Sequence, residues 1–104
     1  MQPKRCVTLS GRKPKATVSI MAQQFWGKYR GVVRDTADPE HHARLKAVVP
    51  SVLGDAVTAW ATPCVPYTPT GAKAVTVPPA GHPVWIEFEG GDISRPIWSG
   101  CFWT

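Results

Sequence analysis

Residues 80–103 read AGHPVWIEFEGGDISRPIWSGCFW and predict two β-strands joined by one tight turn. In the first half, Val84, Ile86 and Phe88 alternate with other residues, which is the period of two that a strand with one buried face shows. The Gly-Gly-Asp sequence that follows ends this strand, because glycine tolerates positive φ and Asp bonds nearby backbone in turns. The second strand begins at Pro96, where a proline removes no ladder hydrogen bond. We therefore expect the two strands to form a hairpin.

Shorter segments upstream carry the same kind of signal. In the first segment, residues 25–35, Gly31 indicates a bend or a bulge. In the third segment, residues 57–62, we expect Val57, Ala59 and Ala61 on one face. Only residues 38–45 have a pattern that would allow a brief helical turn. The predicted strands before the hairpin are residues 25–35, 44–49, 57–62 and 74–77. Short strands separated by Gly and Pro turns predict an all-β barrel or sandwich.

The charge is divided unevenly along the 104 residues, a length that suits one small domain. Of the net charge of +5, all comes from residues 1–20, which hold five basic and no acidic residues, whereas seven of each follow. We expect residues 1–21 to be a basic, mobile arm and residues 22–104 to be the folded domain, with Met21 as an alternative start. A neutral domain disfavours nucleic-acid binding by the folded part. Binding of an acidic partner or nucleic acid by the arm remains an alternative.

The three cysteines, Cys6, Cys64 and Cys101, have no C-x-x-C spacing and predict neither a disulfide framework nor a zinc site. They fit free thiols of a protein made in a reducing cytoplasm, and a Cys64–Cys101 bridge stays open. No segment approaches the roughly 20 apolar residues of a membrane helix. The N-terminus lacks the apolar run of a signal peptide. We therefore expect no stable membrane association.

Catalytic and metal-binding motifs are missing from the sequence. It contains no G-x-S-x-G, H-E-x-x-H or glycine-rich phosphate loop. Asp38, Glu40, His41 and His42 would allow a surface ion site, but adjacent histidines lack the geometry of a metal pair and a solvated loop is favoured. We predict no catalytic, cofactor-binding or metal-binding residue.

The aromatic residues of the hairpin are the best candidates for contacts with another protein. Trp85 alternates with the apolar residues of its strand and is expected to point outwards. In the last strand Trp98 and Phe102 are expected on one face, with Ile97 and Cys101 on the other. Both faces are apolar, which suggests a core within and a partner outside. The predicted protein-interface residues are Trp85, Glu87, Glu89, Trp98, Phe102 and Trp103. An alternative is that another loop of the same chain covers Trp85.

The order of these motifs resembles a known family. An alternating strand, E-G-G-D, a short spacer, R-P-I and then W-S-G is similar to the OB-fold domain of phage baseplate spikes. The same domain occurs in the valine-glycine repeat spike of type VI secretion and in contractile injection systems. Residues 29–33 and 44–50 resemble the family's first two strands, and residues 60–61 and 64–66 resemble its third. The resemblance covers residues 25–103 and implies a five- to six-stranded Greek-key OB-fold barrel.

The resemblance also implies a function. Such domains are non-enzymatic structural proteins, namely the spike or central hub adaptor of a contractile tail baseplate or phage-tail-like injection system. It implies a homotrimer on the particle's threefold axis, in contact with baseplate hub and tail-tube proteins, within a virion or extracellular particle assembled in the bacterial cytoplasm. Most such spikes continue into a β-helical needle, whereas this sequence ends at Thr104. Either a separate needle or tip protein docks here, or the sequence is truncated.

Two other classes remain as alternatives. A single-stranded nucleic-acid-binding OB module would use the basic arm and exposed tryptophans as stacking platforms. The glutamates beside Trp85 have the wrong sign for a phosphate track, which disfavours this alternative. A small envelope-degrading enzyme is the third class, and no motif in the sequence supports it.

Overall fold

The computed structural model describes residues 23–104, and strands form most of the regular structure there. The single α-helix of these residues, α1, has four residues, and two 3-10 turns cover Gly71–Ala74 and Glu89–Gly91. The five strands are β1 (Tyr29–Asp35), β2 (Lys46–Val48), β3 (Thr62–Pro63), β4 (Pro83–Phe88) and β5 (Pro96–Cys101), with α1 at Pro50–Leu53. The predicted arm, residues 1–21, lies outside the described residues.

The five strands form one sheet in the order β2-β1-β4-β5-β3. All neighbouring pairs are antiparallel except β3 and β5, which run parallel. Two isolated bridges, Leu45 with Ala61 and Val48 with Val57, bring the segment before β3 against β2. The chain over residues 57–63 therefore bridges to β2, at one edge of the sheet, and continues as β3, at the other edge, so it joins the two edges of the curled sheet. This Greek-key arrangement confirms the predicted OB-fold barrel, with five strands.

The core lies inside the curled sheet and consists of the residues that alternate inwards. In β4 the inward residues are Val84, Ile86 and Phe88, as the sequence predicts. Full burial of a branched aliphatic or aromatic side chain contributes about 1.5–3 kcal/mol. The buried cluster contains Val33, Leu45, Ala47, Val49, Ala61, Val84, Ile86, Phe88 and Trp98. Because these residues are spread from Val33 to Trp98, the core brings distant parts of the sequence into contact.

Gly31 does not lie at the bulge that the sequence suggested. This glycine instead allows β1 to pack closely against its neighbours. The irregularity of β1 lies between Val33 and Asp35, where the register against β2 shifts. At Gly31 an added Cβ would lie 3.1 Å from both the Ile86 Cγ1 atom and the Val48 carbonyl oxygen. A side chain at this position would therefore press on the core and on the neighbouring strand.

The prediction that Val57, Ala59 and Ala61 lie on one face is wrong. Val57 is 41 % exposed, whereas Thr58 and Ala61 are buried. The Thr58 hydroxyl accepts the Ala47 N–H at 3.1 Å and donates to the Ala59 carbonyl at 2.7 Å. These bonds satisfy a buried hydroxyl and turn the segment away from regular strand geometry, so inward positions are three residues apart.

Two further predicted elements do not form. Residues 38–45 contain turns and bends and no helix, because the Asp38 side chain bonds the backbone N–H groups that follow it. Residues 74–77 form no strand. After the 3-10 turn the chain runs extended, and Val75 and Val77 pack against the core from outside the sheet. The prolines around this segment remove ladder donors, which explains the missing pairing.

Two smaller points concern cysteines and membranes. Cys64 and Cys101 are both exposed and free, so the bridge between them is not formed. Within residues 23–104, no helix has the length and apolar character needed to cross a bilayer.

Candidate functional site: the outer surface of the hairpin

The outer face of the hairpin places two predicted interface residues side by side. In β4 the half-buried Trp85 and Glu87 alternate with fully buried neighbours, so both point away from the core. This orientation agrees with the period of two in the sequence. We call the surface formed by Lys28, Arg30, Trp85, Glu87 and Phe102 the outer patch.

A bulge in β5 brings Phe102 onto the same face as Trp85. Ile86 pairs with Trp98, but Trp85 pairs with Gly100, so Ser99 is an extra residue in the ladder. One extra residue reverses the alternation of all side chains that follow it. The Phe102 and Trp85 ring centroids are consequently 4.6 Å apart, at an interplanar angle of 38°.

The same bulge corrects the prediction for Trp98. This residue lies before the extra residue, belongs to the core and is only 4 % exposed. Its indole Nε1 donates a hydrogen bond to the Ala43 carbonyl at 3.0 Å. The expected common face of Trp98 and Phe102 is therefore wrong, and Trp98 offers almost no surface to a partner.

Arg30 lies over both rings of the outer patch and was not singled out from the sequence. Its strand position is directly opposite Trp85 in the register of β1 and β4. The guanidinium carbon is 5.2 Å from the Trp85 centroid and 4.8 Å from the Phe102 centroid. Both distances are within the range of cation–π attraction, about 6 Å. Alternation in β1 marks Arg30 as outward, but only the strand pairing reveals its contact with Trp85.

Glu87 is paired with a cation at the edge of the outer patch. The Lys28 ammonium donates to Glu87 Oε2 at 2.8 Å and to the Ser99 hydroxyl at 3.3 Å. The hydrogen bond from Lys28, followed by that of Ser99, lowers the pKa of the Glu87 carboxyl. The pair is largely exposed, so it contributes little to stability and mainly neutralises this side of the patch.

The remaining predicted interface residues lie apart from the outer patch. Glu89 follows β4 in the 3-10 turn, where Arg95 donates to its carboxylate at 2.9 Å. Trp103 is 93 % exposed and forms no aromatic pair within the described part of the chain. The structure thus brings Trp85, Glu87 and Phe102 together and leaves Glu89 and Trp103 as separate exposed groups.

The loop that contains His41 and His42 is held by hydrogen bonds and an ion pair to the Asp38 carboxylate. Asp38, one of the residues considered for an ion site, is buried and bonded to the Arg44 guanidinium. Over residues 23–104, no group of three or more His, Cys, Asp or Glu side chains is placed to hold a metal ion. The carboxylate that would be the main ligand is already occupied by Arg44.

Two other surface features stand outside the hairpin. The guanidinium carbon of Arg44 and the ammonium of Lys46 lie 5.7 and 5.0 Å from the Trp60 ring centroid. A groove of about 330 Å³ runs beside Trp98 and is lined mainly by apolar side chains. Its lining residues are Val65, Pro66, Thr68, Ala74, Val75, Thr76 and Trp98. The groove contains no titratable side chain, so it offers no acid–base chemistry.

The strand order and the parallel pairing of β3 with β5 define the chain as an OB-fold barrel. The model of the family described as the type VI secretion system/phage-baseplate injector OB domain matches residues 29–103. The chain belongs to this family, which confirms the resemblance seen in the sequence. No curated protein matches the chain. Membership assigns a structural baseplate role, in a virion or a phage-tail-like particle, and the family is not one of enzymes.

Proposed function

We propose that this chain is the spike or central hub adaptor of a contractile tail baseplate or phage-tail-like injection system. Three copies surround the particle's threefold axis beneath the tail tube. Baseplate hub and tail-tube proteins contact the outside of the barrel, and a separate needle or tip protein is a further partner. Particles assemble in the bacterial cytoplasm. The structural role follows from membership of the family. The threefold position is our inference from the resemblance of this chain to the spikes of that family.

The observation that carries this proposal is the outer patch. Trp85 and Phe102 contact each other on the outer face of a barrel whose inner face is filled by the core. Buried aromatic and arginine anchors dominate the energetics of protein interfaces. Glu89 and Trp103 extend the proposed contact surface beyond the patch. A rigid barrel with such an exterior suits an adaptor that transmits force between neighbours.

Two measurements test the proposal. Light scattering should give three times the 11.3 kDa mass of the chain at high protein concentration, and a monomer there would contradict self-assembly around a threefold axis. Immunodetection should find the protein at the baseplate end of tail particles purified by sedimentation. Its absence from such particles would remove the structural role.

Single-stranded nucleic-acid binding is the second candidate, because Trp60 and Trp85 each have a cation over the ring. Bases stack on such aromatic platforms beside basic residues. A gel shift with oligodeoxythymidylate at two salt concentrations distinguishes the two functions. Tight, salt-sensitive binding that survives replacement of the five basic arm residues by Gln would favour this candidate over the structural one.

A further inference from the structure

Arg30 presents a cation that no carboxyl side chain of this chain neutralises. Within residues 23–104 the ion pairs involve Lys28, Arg44, Arg95 and His42, and none involves Arg30. Residues 1–22 contain no Asp or Glu at all. The charge of Arg30 is therefore stabilised by two aromatic rings and by solvent, and its side chain is exposed.

Among residues 23–104, no hydrogen bond occupies the stacked Arg30 guanidinium, so its donors are available there. A guanidinium that lies over aromatic rings keeps its five N–H donors in one plane, arranged as a rigid fork that matches a carboxylate. Trp85 and Phe102 hold this fork in place, since both rings are half-buried and contact each other. A pre-ordered donor loses less conformational entropy when it binds than a free arginine does.

The neighbours of Arg30 select among possible anions. Glu87 lies two residues from Trp85 on the same outward face, and Lys28 already neutralises it. With Lys28 paired, Arg30 is, over the described residues, the one unpaired cation of the outer patch, so the successive phosphates of a nucleic-acid backbone would find a partner for only one of their charges. A single carboxylate would meet Arg30 alone, and apolar side chains next to that carboxylate would pack on the Trp85 and Phe102 rings.

We propose that Arg30, set between Trp85 and Phe102, binds a carboxylate from an acidic, apolar-flanked segment of another baseplate protein. The inference rests on the proposed function and names the chemistry of the partner at that surface. Arg30 forms the charged centre of the contact, and the two rings exclude water around it. Such a desolvated arginine with aromatic neighbours is the usual composition of an interface hot spot.

The probe is a blocked heptapeptide of alternating leucine and acidic residues, titrated into the ¹⁵N-labelled full chain to about 1 mM, the range of weak affinities. We expect saturable shifts of the Arg30 Nε–H and Trp85 Nε1–H signals. A peptide with Asn and Gln in place of the acidic residues should produce none. Failure of the acidic peptide to shift either signal overturns the proposal.

Two variants and a competing ligand sharpen the test. Arg30→Lys keeps the charge and loses the fork, so the affinity for the acidic peptide should fall by at least about tenfold. Arg34→Lys is the matched control, an exposed arginine on the same strand with no ring beneath it among residues 23–104, and should bind as the parent does. Equal affinity of the parent and Arg30→Lys overturns the proposal. So does stronger, Arg30-dependent binding of oligodeoxythymidylate.

The outcome is separable from that of the proposed function. Peptide binding needs no particle, so a protein found at the baseplate whose patch ignores the acidic peptide refutes this inference alone. Conversely, specific peptide binding by a protein that is absent from tail particles refutes the baseplate position and retains the carboxylate site.

Discussion

Asp38 and Arg44 form a two-point ion pair at the base of the loop between β1 and β2. The Arg44 Nε atom donates to Asp38 Oδ2 at 3.0 Å, and Nη2 donates to Oδ1 at 2.7 Å. The same carboxylate also accepts the backbone N–H groups of Glu40, His42 and Arg44. One side chain thus satisfies three backbone donors of a loop that has no regular structure.

Replacement of Asp38 by Asn should destabilise the domain and loosen this loop. His41 and Ala43 have φ of 55° and 59°, a region unfavourable for residues other than glycine, and the carboxylate bonds hold the loop in that conformation. Asn offers one acceptor atom and places an amide against the guanidinium. We expect Asp38→Asn to lower the melting temperature clearly, and Asp55→Asn, at an exposed turn, to leave it unchanged. Equal melting temperatures for the two variants would contradict this role of the ion pair.

The same pair predicts the direction of the pH dependence. Arg44 lowers the pKa of the Asp38 carboxyl far below its usual value, backbone N–H groups act in the same direction, and burial opposes them. A group with a depressed folded-state pKa stabilises the fold above its unfolded value, about 3.9, and loses that contribution as the pH falls below it. The stability difference between the parent and Asp38→Asn should therefore be constant from pH 7 to 5 and shrink towards pH 3. Denaturant unfolding at each pH measures it, and a difference that grows on acidification would contradict the assignment.

Trp98→Phe tests the core position of that tryptophan. The change removes the hydrogen bond to Ala43 and leaves a small void, so it should lower the free energy of unfolding by about 1–3 kcal/mol. Trp103→Phe is the control, and at its exposed position the change should stay within about 0.5 kcal/mol. Urea unfolding followed by circular dichroism gives both values. Comparable losses in the two variants would argue against the core assignment.

The sequence was sufficient for the features that depend on local periodicity. Alternation predicted the inward residues of β4, and Gly-Gly-Asp with Pro96 predicted the hairpin. The order of short motifs predicted the family and with it the OB-fold. For the candidate site, the outward direction of Trp85 and Glu87 followed from the same period.

The remaining features depend on contacts between distant residues. The extra residue Ser99 that moves Phe102 to the outer face has no signal in a sequence that reads as a regular strand. Arg30 contacts Trp85 because the register of β1 and β4 pairs these two residues, which are 55 positions apart in the sequence. The Asp38–Arg44 pair replaced a predicted helical turn, because a side chain that bonds several backbone donors competes with the helix.

Gly31→Ala tests the close approach of β1 to its neighbours. An alanine Cβ would lie 3.1 Å from the Val48 carbonyl oxygen, a backbone atom that cannot move without its strand. We expect the free energy of unfolding to fall by about 1–3 kcal/mol because of the crowding. The lower entropy of the unfolded chain without this glycine offsets a small part of the loss. Val32→Ala, at the adjacent exposed position, should cost less than about 1 kcal/mol. A Gly31→Ala variant as stable as the parent would mean that glycine is not required for packing here.

Deletion of Ser99 tests whether this residue is the extra one of the β5 bulge. With Ser99 removed, Gly100 follows Trp98 directly and still pairs with Trp85, so regular alternation leaves Phe102 on the outer face. Nuclear Overhauser effects between the Phe102 and Trp85 rings, expected in the parent from their 4.6 Å separation, should therefore persist in the deletion variant. Ser99→Gly keeps the residue count and should also retain them while it loses the hydroxyl contact to Lys28. Loss of the ring contacts in a folded deletion variant would show that Ser99 belongs to the regular ladder and is not the extra residue.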